Sequence, residues 1–313
     1  MKITFIATVY NEEKTIGEFL TSLIEQSMFP DEVILVDAKS TDKTNEIVRQ
    51  YESRFKKKKI SFLLFNKKGN RSIGRNEAIQ HATGDIIIAS DAGCVLDKNW
   101  VMEIAKPFNN KKIDVVAGYY HPVTKTIFEK CMAAYTSIMP DKVDPDTFLP
   151  SSRSIGFRKT VWEKVYGYPE NLDTCEDLVF ARTAKQKGFH FSFAKNAIVY
   201  WPQRATLKEA FLQFFSYALG DGQAWYIRPQ TPLLFFRYII GVILVVFYFR
   251  THSHKILATL FLLLILYIIW AIKKNYRYVK DWQAFYLLPI LQFTADVAVL
   301  SGFTIGSIDK YGI

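Results

Sequence analysis

The sequence predicts an α/β fold: a mostly parallel sheet with flanking helices, followed by a C-terminal region of membrane-spanning helices. Short apolar, β-branched runs alternate with amphipathic stretches in the first part of the chain, and long apolar runs are concentrated between residues 233 and 305. Strands that alternate with helices form parallel sheets with right-handed crossovers. At 313 residues, the chain is long enough for one large domain or two ordinary ones.

Four compact apolar runs are the predicted strands, each with the composition expected of a strand that is buried on both faces. They cover residues 3–9, 32–37, 60–65 and 85–90. The segments between them have helical spacing, as Ile16, Phe19 and Leu20 show after the first strand. Asn11 is predicted to cap that helix. Another helix is predicted near 72–82, so the β-α-β-α order favours the parallel sheet.

The next part of the chain is less regular. Residues 114–120 and 189–201 are predicted to be further strands, whereas 139–155 is rich in Pro, Ser and Asp and is predicted to be a loop. We therefore divide the chain into a globular domain, residues 1–228, and a membrane region, residues 229–313.

Three apolar segments in the membrane region are candidate spans. They cover residues 233–249, 256–272 and 284–303. The first two approach the roughly 20 residues that a spanning helix needs. The third is long enough but carries Pro289, Gln292 and Asp296. A buried core hairpin is the alternative for the first two, but little polar surface remains in the chain to cover it.

Basic residues predict how these helices are oriented. The connection 250–255 has two Lys or Arg residues, and the connection 273–281 has four, with aromatic residues between them. The positive-inside rule places the second connection in the cytosol. Three crossings then leave residues 1–232 in the cytosol as well, which agrees with an N-terminus that lacks the features of a signal peptide. We expect a multi-pass membrane protein with its globular domain in the cytosol.

The chain carries 40 Lys and Arg residues against 30 Asp and Glu residues, a formal net charge of +10. A nucleic acid, an anionic membrane surface or a solvated basic face can each account for this excess. The apolar C-terminal segments favour the membrane, and we predict no nucleic-acid partner.

Common site motifs are missing from the sequence. It has no GxGxxG, no GxxxxGK[ST], no GxSxG and no HExxH, which argues against a dinucleotide site, a P-loop, a serine-hydrolase elbow and a zincin site. Cys94, Cys131 and Cys175 lie far apart without metal-binding spacing, and we expect them to be reduced thiols.

Acidic and small polar residues follow the predicted strands, at the edge where ligands bind in such sheets. Thr8 ends the first strand, Asp37 ends the second and Asp91 follows the fourth. Asp37 can accept a hydrogen bond from a nucleobase N–H or a ribose hydroxyl. Asp91 can bind ribose or help to hold a divalent ion, because such hard ions prefer carboxylate oxygen.

Four separated stretches give more specific information. In chain order they are TVYNEEKTIGEFLTSL, VDAKSTDKT, NRSIGRNEAIQHATGDIIIASDAGC and TCEDLVFARTAKQKG. Together they resemble the successive signatures of the family-2 inverting glycosyltransferases, over roughly residues 1–220. The resemblance implies a GT-A-type fold. It also implies transfer of a sugar from a nucleotide diphosphate sugar with inversion at the anomeric carbon, in cell-envelope glycan biosynthesis.

The resemblance also implies roles for individual residues. The residues implied to bind the nucleotide sugar are Thr8, Tyr10, Glu12, Asp37, Arg75 and Asp91. Asp177 matches the general base, and Glu176 stands beside it. A sugar hydroxyl is a poor nucleophile until a carboxylate removes its proton, and a helix N-terminus suits that task. Ordinary acidic capping of the helix is the alternative for Glu176 and Asp177.

The sequence departs from the family pattern at the metal site and at one later motif. Asp91 matches the first acid of the DxD motif, but Gly93 replaces the second, which is commonly the direct ligand of the divalent cation (Mn²⁺ or Mg²⁺). The Cys94 thiol is a poor ligand for a hard cation. Asp91, the substrate phosphates and water therefore remain to hold such an ion. QFFSY at 213–217 replaces the QxxRW of processive synthases, which favours transfer of a single sugar. After the last strand, Arg204 could offset diphosphate charge, with an ordinary surface arginine as the alternative.

We therefore predict a membrane-anchored inverting glycosyltransferase that moves one sugar from a UDP- or GDP-sugar to a lipid-linked or glycan acceptor at the membrane. A processive polysaccharide synthase is a second hypothesis, although three helices are few for a polymer channel. A non-catalytic, nucleotide-sugar-binding membrane protein is a third. Gly93 supports it, and the retained TCED sequence argues against it.

Overall fold

The structure is a computed structural model that describes residues 1–311. The chain forms two compact units. Unit 1 comprises Met1–Val123 and Met139–Pro202, and unit 2 comprises Thr124–Ile138 and the chain from Gln203 onward. The boundary that we predicted at residue 228 stays a prediction.

Unit 1 contains the sheet. Within the described residues, its strands are β1 (Ile3–Val9), β2 (Glu32–Asp37), β3 (Ser61–Asn66), β4 (Ile86–Ala89), β5 (Val95–Leu96), β6 (Val115–Val123), β7 (Ile155–Arg158) and β8 (Phe191–Pro202). Their order across the sheet is β3-β2-β1-β4-β7-β6-β8-β5. β3, β2, β1 and β4 are mutually parallel, as are β6 and β8. β7 is antiparallel to both of its neighbours, and β5 is antiparallel to β8. The predicted mostly parallel α/β sheet is confirmed.

Helices flank this sheet and then form the C-terminal region. In chain order they are α1 (Ile16–Ile24), α2 (Thr44–Lys57), α3 (Arg71–His81), α4 (Trp100–Ala105), α5 (Ile127–Thr136), α6 (Lys159–Val165), α7 (Glu176–Gln186), α8 (Leu207–Gln223), α9 (Gln230–Thr251), α10 (His254–Val279) and α11 (Ala284–Tyr311). Alternate strand residues point to opposite faces of the sheet. Phe5 accordingly packs in one apolar cluster with Phe19 and Trp100, and Ile6 in a second with Ile79 and other residues.

One local prediction was wrong, and two short strands were not predicted. Asn11 does not cap α1, which begins at Ile16 after Thr15. Asn11 instead adopts a left-handed conformation, φ 53°, which asparagine tolerates better than most residues, and its Oδ1 accepts a hydrogen bond from the Thr41 N–H at 2.8 Å. The sequence analysis did not predict β5 or β7, because strands of two and four residues give little periodic signal.

Unit 2 contains three helices, in the described chain, that are long and apolar enough to cross a membrane: α9, α10 and α11, with mean hydropathies of 2.2, 2.5 and 1.5. Each contains one of the predicted spans. Only 6% of the most apolar window of α9 or α10 is buried, against 44% for α11. The first two helices therefore present apolar side chains outward, whereas α11 packs against protein.

The partner that buries α11 is chiefly α8. A Cβ atom at Gly306 would lie 2.1 Å from the Leu219 carbonyl oxygen, and one at Gly302 would lie 2.5 Å from the Phe215 carbonyl oxygen. Such distances permit only glycine, so the two helices meet backbone to backbone, as at the small-residue contacts of membrane helices. Phe214 of α8 joins Leu288 of α11 in the same apolar cluster.

Asp296, which we predicted inside the third apolar segment, is buried in unit 2 with 3% exposure. Its Oδ2 accepts hydrogen bonds from Arg237 and Tyr238, both at 2.9 Å, and from the Tyr267 hydroxyl. Its Oδ1 accepts from Gln292 Nε2 at 2.9 Å. These donors belong to α9, α10 and α11, so this carboxylate joins the three helices.

Candidate active site

The carboxyl ends of β1, β2 and β4 lie side by side at one edge of the sheet. Val9 pairs with Asp37 between β1 and β2, and Ile6 pairs with Ala89 between β1 and β4. Asp91 follows β4 by two residues, so Asp37 and Asp91 lie at the edge where ligands bind in open α/β sheets.

The antiparallel strand β7 brings a different loop to the same edge. Ile155, the first residue of β7, pairs with Ala89, the last residue of β4. The residues just before β7, including Arg153, therefore arrive beside Asp91. Tyr120 lies on β6, beyond the residues that pair with β7, and Trp201 lies on the next strand, β8. Both rings lie near the Arg153 guanidinium.

Arg75, on α3, is at the centre of the site and is 3% exposed. One guanidinium nitrogen donates to Glu176 Oε1 at 2.6 Å, and another donates to Asp91 Oδ1 at 2.9 Å. The guanidinium also lies over the Tyr168 ring, 5.4 Å from its centre. A buried guanidinium of this kind is stabilised by hydrogen-bonded carboxylates on both sides.

The two carboxylates that share Arg75 differ in their acidity. Burial alone would raise the pKa of Asp91, but Arg75, Arg153 and Arg71 together lower it below its ordinary value. Burial raises the pKa of Glu176 despite its contact with Arg75, and neighbouring Asp177 adds to that rise. Asp91 is therefore the more firmly anionic of the pair.

Asp177 lies in the first turn of α7, next to Glu176, but in different surroundings. It is half-buried, and its carboxylate accepts hydrogen bonds from the Ser152 N–H at 3.2 Å and the Leu178 N–H at 2.8 Å. Glu176, with 4% exposure, is committed to Arg75. Of the two predicted catalytic acids, Asp177 is thus the one that an outside hydroxyl can reach.

The turn that places these two acids is strained. Cys175, which precedes α7, has a left-handed backbone conformation with φ 69°. Non-glycine residues in this conformation cost free energy, and they are concentrated at functional sites. The start of α7 is therefore held in its position by surrounding contacts such as the one between Glu176 and Arg75.

Asp37 is 2% exposed, and its carboxylate already has protein donors. Oδ1 accepts from the Ser40 N–H at 3.0 Å and the Ser40 hydroxyl at 2.6 Å, and Oδ2 accepts from Asn45 Nδ2 at 3.0 Å. Among these contacts, Oδ2 receives one donor, so it retains acceptor capacity for a nucleobase N–H.

The other predicted nucleotide-binding residues belong to β1 and the loop after it. Thr8 is half-buried within β1, and Tyr10 is 57% exposed. The Glu12 N–H donates to Thr44 Oγ1 at 2.7 Å, and the Glu12 carboxylate accepts from the Thr15 hydroxyl. The structure thus brings Arg75, Asp91 and Glu176 into direct contact, whereas Tyr10 and Glu12 lie on the adjoining loop.

The protein groups at this edge do not form a divalent-metal site by themselves. Residues 1–311 contain no cluster of three or more His, Cys, Asp or Glu side chains that could hold a metal ion. Gly93 offers no side-chain oxygen, although a Cβ atom there would meet nothing within 4 Å. Burial raises the pKa of the Cys94 thiol, which keeps it protonated and a poor ligand. Asp91 bonds to Arg75 instead.

Arg153 is the residue of the site that the sequence prediction missed. Its Nε lies 3.9 Å from Asp91 Oδ2, and its guanidinium lies 4.1 Å from the centre of the Trp201 ring. The sequence predicts a loop over 139–155 and offers Arg204 as a possible cation. Arg204 is exposed and belongs to the second segment of unit 2. An antiparallel strand predicted at 155–158 would have indicated that Arg153 belongs to the site, because the pairing of β7 with β4 brings Arg153 to the ligand edge.

Comparison with known proteins identifies the family. The family model for glycosyl transferase family 2 matches residues 4–166, more than half of the chain. Arg75, Asp91 and Arg153 lie inside the matched region, and Glu176 and Asp177 lie beyond it.

Curated relatives agree with this match. The chain is 24% identical to the glycosyltransferase AglE of Haloferax volcanii over 229 residues, which cover 71% of this chain and 74% of that protein. It is 26% identical to the poly(ribitol-phosphate) beta-glucosyltransferase of Bacillus spizizenii over 204 residues, 64% of this chain. The aligned segment spans only 32% of the latter protein's length.

Solved structures show the same fold. The mannosyltransferase PcManGT from Pyrobaculum calidifontis, solved in complex with GDP-Man and Mn²⁺, superposes with a TM-score of 0.63 at 18% identity, covering 96% of this chain and 87% of that one. TarS residues 1–349 of S. aureus superpose with a TM-score of 0.52 at 21% identity, covering 100% and 92%. The chain therefore belongs to glycosyl transferase family 2 and is a glycosyltransferase with a GT-A fold.

Proposed function

We propose that this protein is a membrane-anchored, inverting glycosyltransferase that moves a single sugar from a UDP- or GDP-sugar to a lipid-linked or glycan acceptor at the membrane. One observation carries the proposal: Asp91 and its arginines lie at the ligand edge of the sheet, and the start of α7, with Asp177, is tied to them through Glu176. A diphosphate requires cationic partners and an acceptor hydroxyl requires a base, and this edge supplies both.

The nucleotide is proposed to bind over the ends of β1 and β2. Asp37 would accept from the base through Oδ2, and the exposed Tyr10 offers a ring at the same edge. Thr8 and Glu12 would complete this part of the site. Both UDP and GDP are retained in the proposal, because a structural neighbour was solved with GDP-Man and a TarS structure with UDP-GlcNAc.

In the proposed reaction, Asp177 takes the proton from the acceptor hydroxyl. The acceptor oxygen attacks the anomeric carbon from the side opposite the diphosphate. The bond from that carbon to the phosphate oxygen breaks, and its electron pair leaves with the nucleoside diphosphate. A single displacement of this kind inverts the anomeric configuration. Guanidinium groups that face the developing negative charge lower the barrier.

Glu176 is proposed to position rather than to react. It holds Arg75 at 2.6 Å, and Arg75 in turn holds Asp91 at 2.9 Å. Removing the Glu176 carboxylate would therefore disturb the nucleotide site, whereas removing that of Asp177 would leave this pairing in place.

Transfer of a single sugar is supported by α8. The processive motif QxxRW has its Arg and Trp replaced by Ser216 and Tyr217, and the Gln213 side chain donates to the Tyr217 hydroxyl at 2.9 Å. These residues offer no cation for a nucleotide.

The membrane anchor is proposed to be formed by α9, α10 and α11, whose backbone groups are satisfied as helices in lipid. Residues 1–228 would form the cytosolic nucleotide-sugar domain, and 229–313 the membrane region. Four basic residues after the second span would face anionic cytosolic lipid, each adding about 1 kcal/mol of attraction. They are Lys273, Lys274, Arg277 and Lys280.

A donor screen tests the activity. Purified protein is incubated with UDP- and GDP-sugars and a membrane lipid extract, and sugar transfer to lipid is measured beside release of nucleoside diphosphate. One sugar added per acceptor supports the proposal, and long products would show a processive synthase. Nucleotide binding without turnover under every condition would show a non-catalytic binding protein.

Thiol labelling in sealed vesicles tests the orientation. Lys273→Cys and Thr251→Cys are introduced separately into a variant without native cysteines, because both positions are exposed and lie near opposite ends of α10. A membrane-impermeant maleimide should label the first from the cytosolic side and the second from the other. A reporter at position 273 that reacts only from outside would contradict the proposed orientation.

A further inference from the structure

Arg153 is held in a fixed place by aromatic rings. Its guanidinium carbon lies 4.1 Å from the centre of the Trp201 ring and 5.7 Å from that of Tyr120. Its Nη1 donates to Ser151 Oγ at 3.0 Å. Ring faces attract a cation without neutralising its charge. The side chain keeps 19% exposure, so this ordered cation can be reached from solution.

Three guanidinium groups act on Asp91, those of Arg75, Arg153 and Arg71. Arg75 donates hydrogen bonds to both Asp91 and Glu176. Arg75 is buried between those two carboxylates. Arg153 is only 3.9 Å from Asp91, a distance longer than a hydrogen bond, so this pair is weaker.

Gly93 leaves this part of the site without a second acid next to Asp91. Space for a side chain exists there, since a Cβ atom at position 93 meets nothing within 4 Å. The missing acid is therefore not explained by crowding. Open space beside an exposed arginine is what an anionic group of the donor needs.

We propose that Arg153 binds the diphosphate of the donor directly, and that nucleotide binding in this protein does not depend on a protein-held divalent cation. The inference rests on the proposed function. A guanidinium can form two parallel hydrogen bonds with phosphate oxygens, which matches a phosphate in both charge and geometry.

Calorimetry with UDP and GDP on the whole protein in detergent tests this, with either excess EDTA or Mn²⁺ present. Wild-type affinity should change by less than about threefold on chelation. Arg153→Gln should weaken binding by about 10- to 100-fold in both conditions, the usual range for a lost charged hydrogen bond. Arg153→Lys should recover part of the loss. Arg54→Gln, which removes another arginine stacked on a ring, at 4.7 Å from that of Tyr51, should bind as the wild type does.

Gly93→Asp is the second variant, and it does not remove any contact. It should weaken nucleotide binding in EDTA, and Mn²⁺ should restore that binding by at least about tenfold. If wild-type binding requires Mn²⁺, or if Arg153→Gln binds nucleotide normally, the inference about Arg153 is wrong but the proposed function still stands. Absence of nucleotide binding by the wild type in both conditions would overturn the proposed function, and this inference with it.

Discussion

Two clusters of buried charge, one in each unit, differ in how completely their members satisfy one another. In unit 1, Asp91 is paired with Arg75, yet 32% of its side chain remains exposed, and Arg153 approaches it without a hydrogen bond. In unit 2, the Asp296 side chain is 4% exposed, and its carboxylate accepts from Arg237, Tyr238, Tyr267 and Gln292.

The difference separates a ligand site from a structural link. A carboxylate in apolar surroundings is stable only when it is paired and hydrogen-bonded, and Asp296 obtains these partners from three helices. Only 4% of the Asp296 side chain is exposed. The cluster around Asp91 has an open side, where 32% of the Asp91 side chain and 19% of the Arg153 side chain are exposed. We therefore propose that the first cluster binds substrate, whereas the second joins α9, α10 and α11.

The largest effect is expected at the open cluster. Asp177→Asn should lower turnover by roughly 10²–10⁴-fold, the usual contribution of a general base. Nucleotide affinity should stay nearly unchanged, because the amide keeps the shape of the side chain. Turnover and calorimetry on the same preparation measure both quantities. Asp173→Asn, an exposed acid just before α7, is the control. Near-normal turnover of Asp177→Asn would remove this residue from the mechanism.

At the closed cluster, the expected effect is on stability. Asp296→Ala leaves Arg237 without its carboxylate and should destabilise the fold by about 3 kcal/mol, the low end for a broken buried pair, because Arg237 keeps 38% exposure. Denaturation midpoints in detergent measure it. Asp309→Asn, an exposed acid on the same helix, should have little effect.

A compensated variant sharpens this test. Arg237→Met combined with Asp296→Leu replaces both charges by apolar groups and should recover part of the stability, because no charge is left unpaired although Tyr238, Tyr267 and Gln292 lose their acceptor. If the double variant is stable but does not transfer sugar, the closed cluster has a catalytic role, and the assignment above is wrong.

A smaller effect is expected at β2. Asp37→Ala should weaken UDP or GDP binding by about 1–3 kcal/mol, because a nucleobase donor would lose its acceptor. Calorimetry measures it, with Glu46→Ala on the exposed face of α2 as the control. Unchanged affinity for both nucleotides would mean that Asp37 only orders Ser40 and Asn45.

The smallest effect concerns thiol access. Cys175, before α7, is half-buried, whereas Cys94 and Cys131 are buried. Burial raises the pKa of Cys131 to about 11, so this thiol stays protonated at pH 8. Maleimide at that pH should modify Cys175 in the folded protein and the other two only after denaturation. Rapid labelling of Cys131 would show that the packing of α5 in unit 2 is looser than described.

Much of the sheet could be predicted, because its strands β1 and β2 are compact β-branched runs with strong local signals. The prediction failed where pairing between distant segments decides the structure. β7 is short, and its antiparallel pairing with β4 alone brings Arg153 to Asp91. The close packing of α8 on Gly302 and Gly306 likewise depends on tertiary contact, which the local pattern of α8 does not indicate.

The same contrast holds for the candidate site. Strand-end acids such as Asp37 and Asp91 could be named from position, and the helix start with Asp177 from its motif. The hydrogen bond between Arg75 and Glu176 could not be predicted, because the two residues are 101 positions apart in sequence. Only the folded contact separates a positioning acid from a reactive one.

Photoaffinity labelling tests the central claim most directly. A photoreactive UDP analogue, and in parallel a GDP analogue, is crosslinked to the whole protein, and the modified peptides are mapped by mass spectrometry. The account predicts labelled peptides from residues 8–12 and 37–45, with labelling suppressed by excess unmodified nucleotide. Competable labelling found only in residues 230–311 would contradict it.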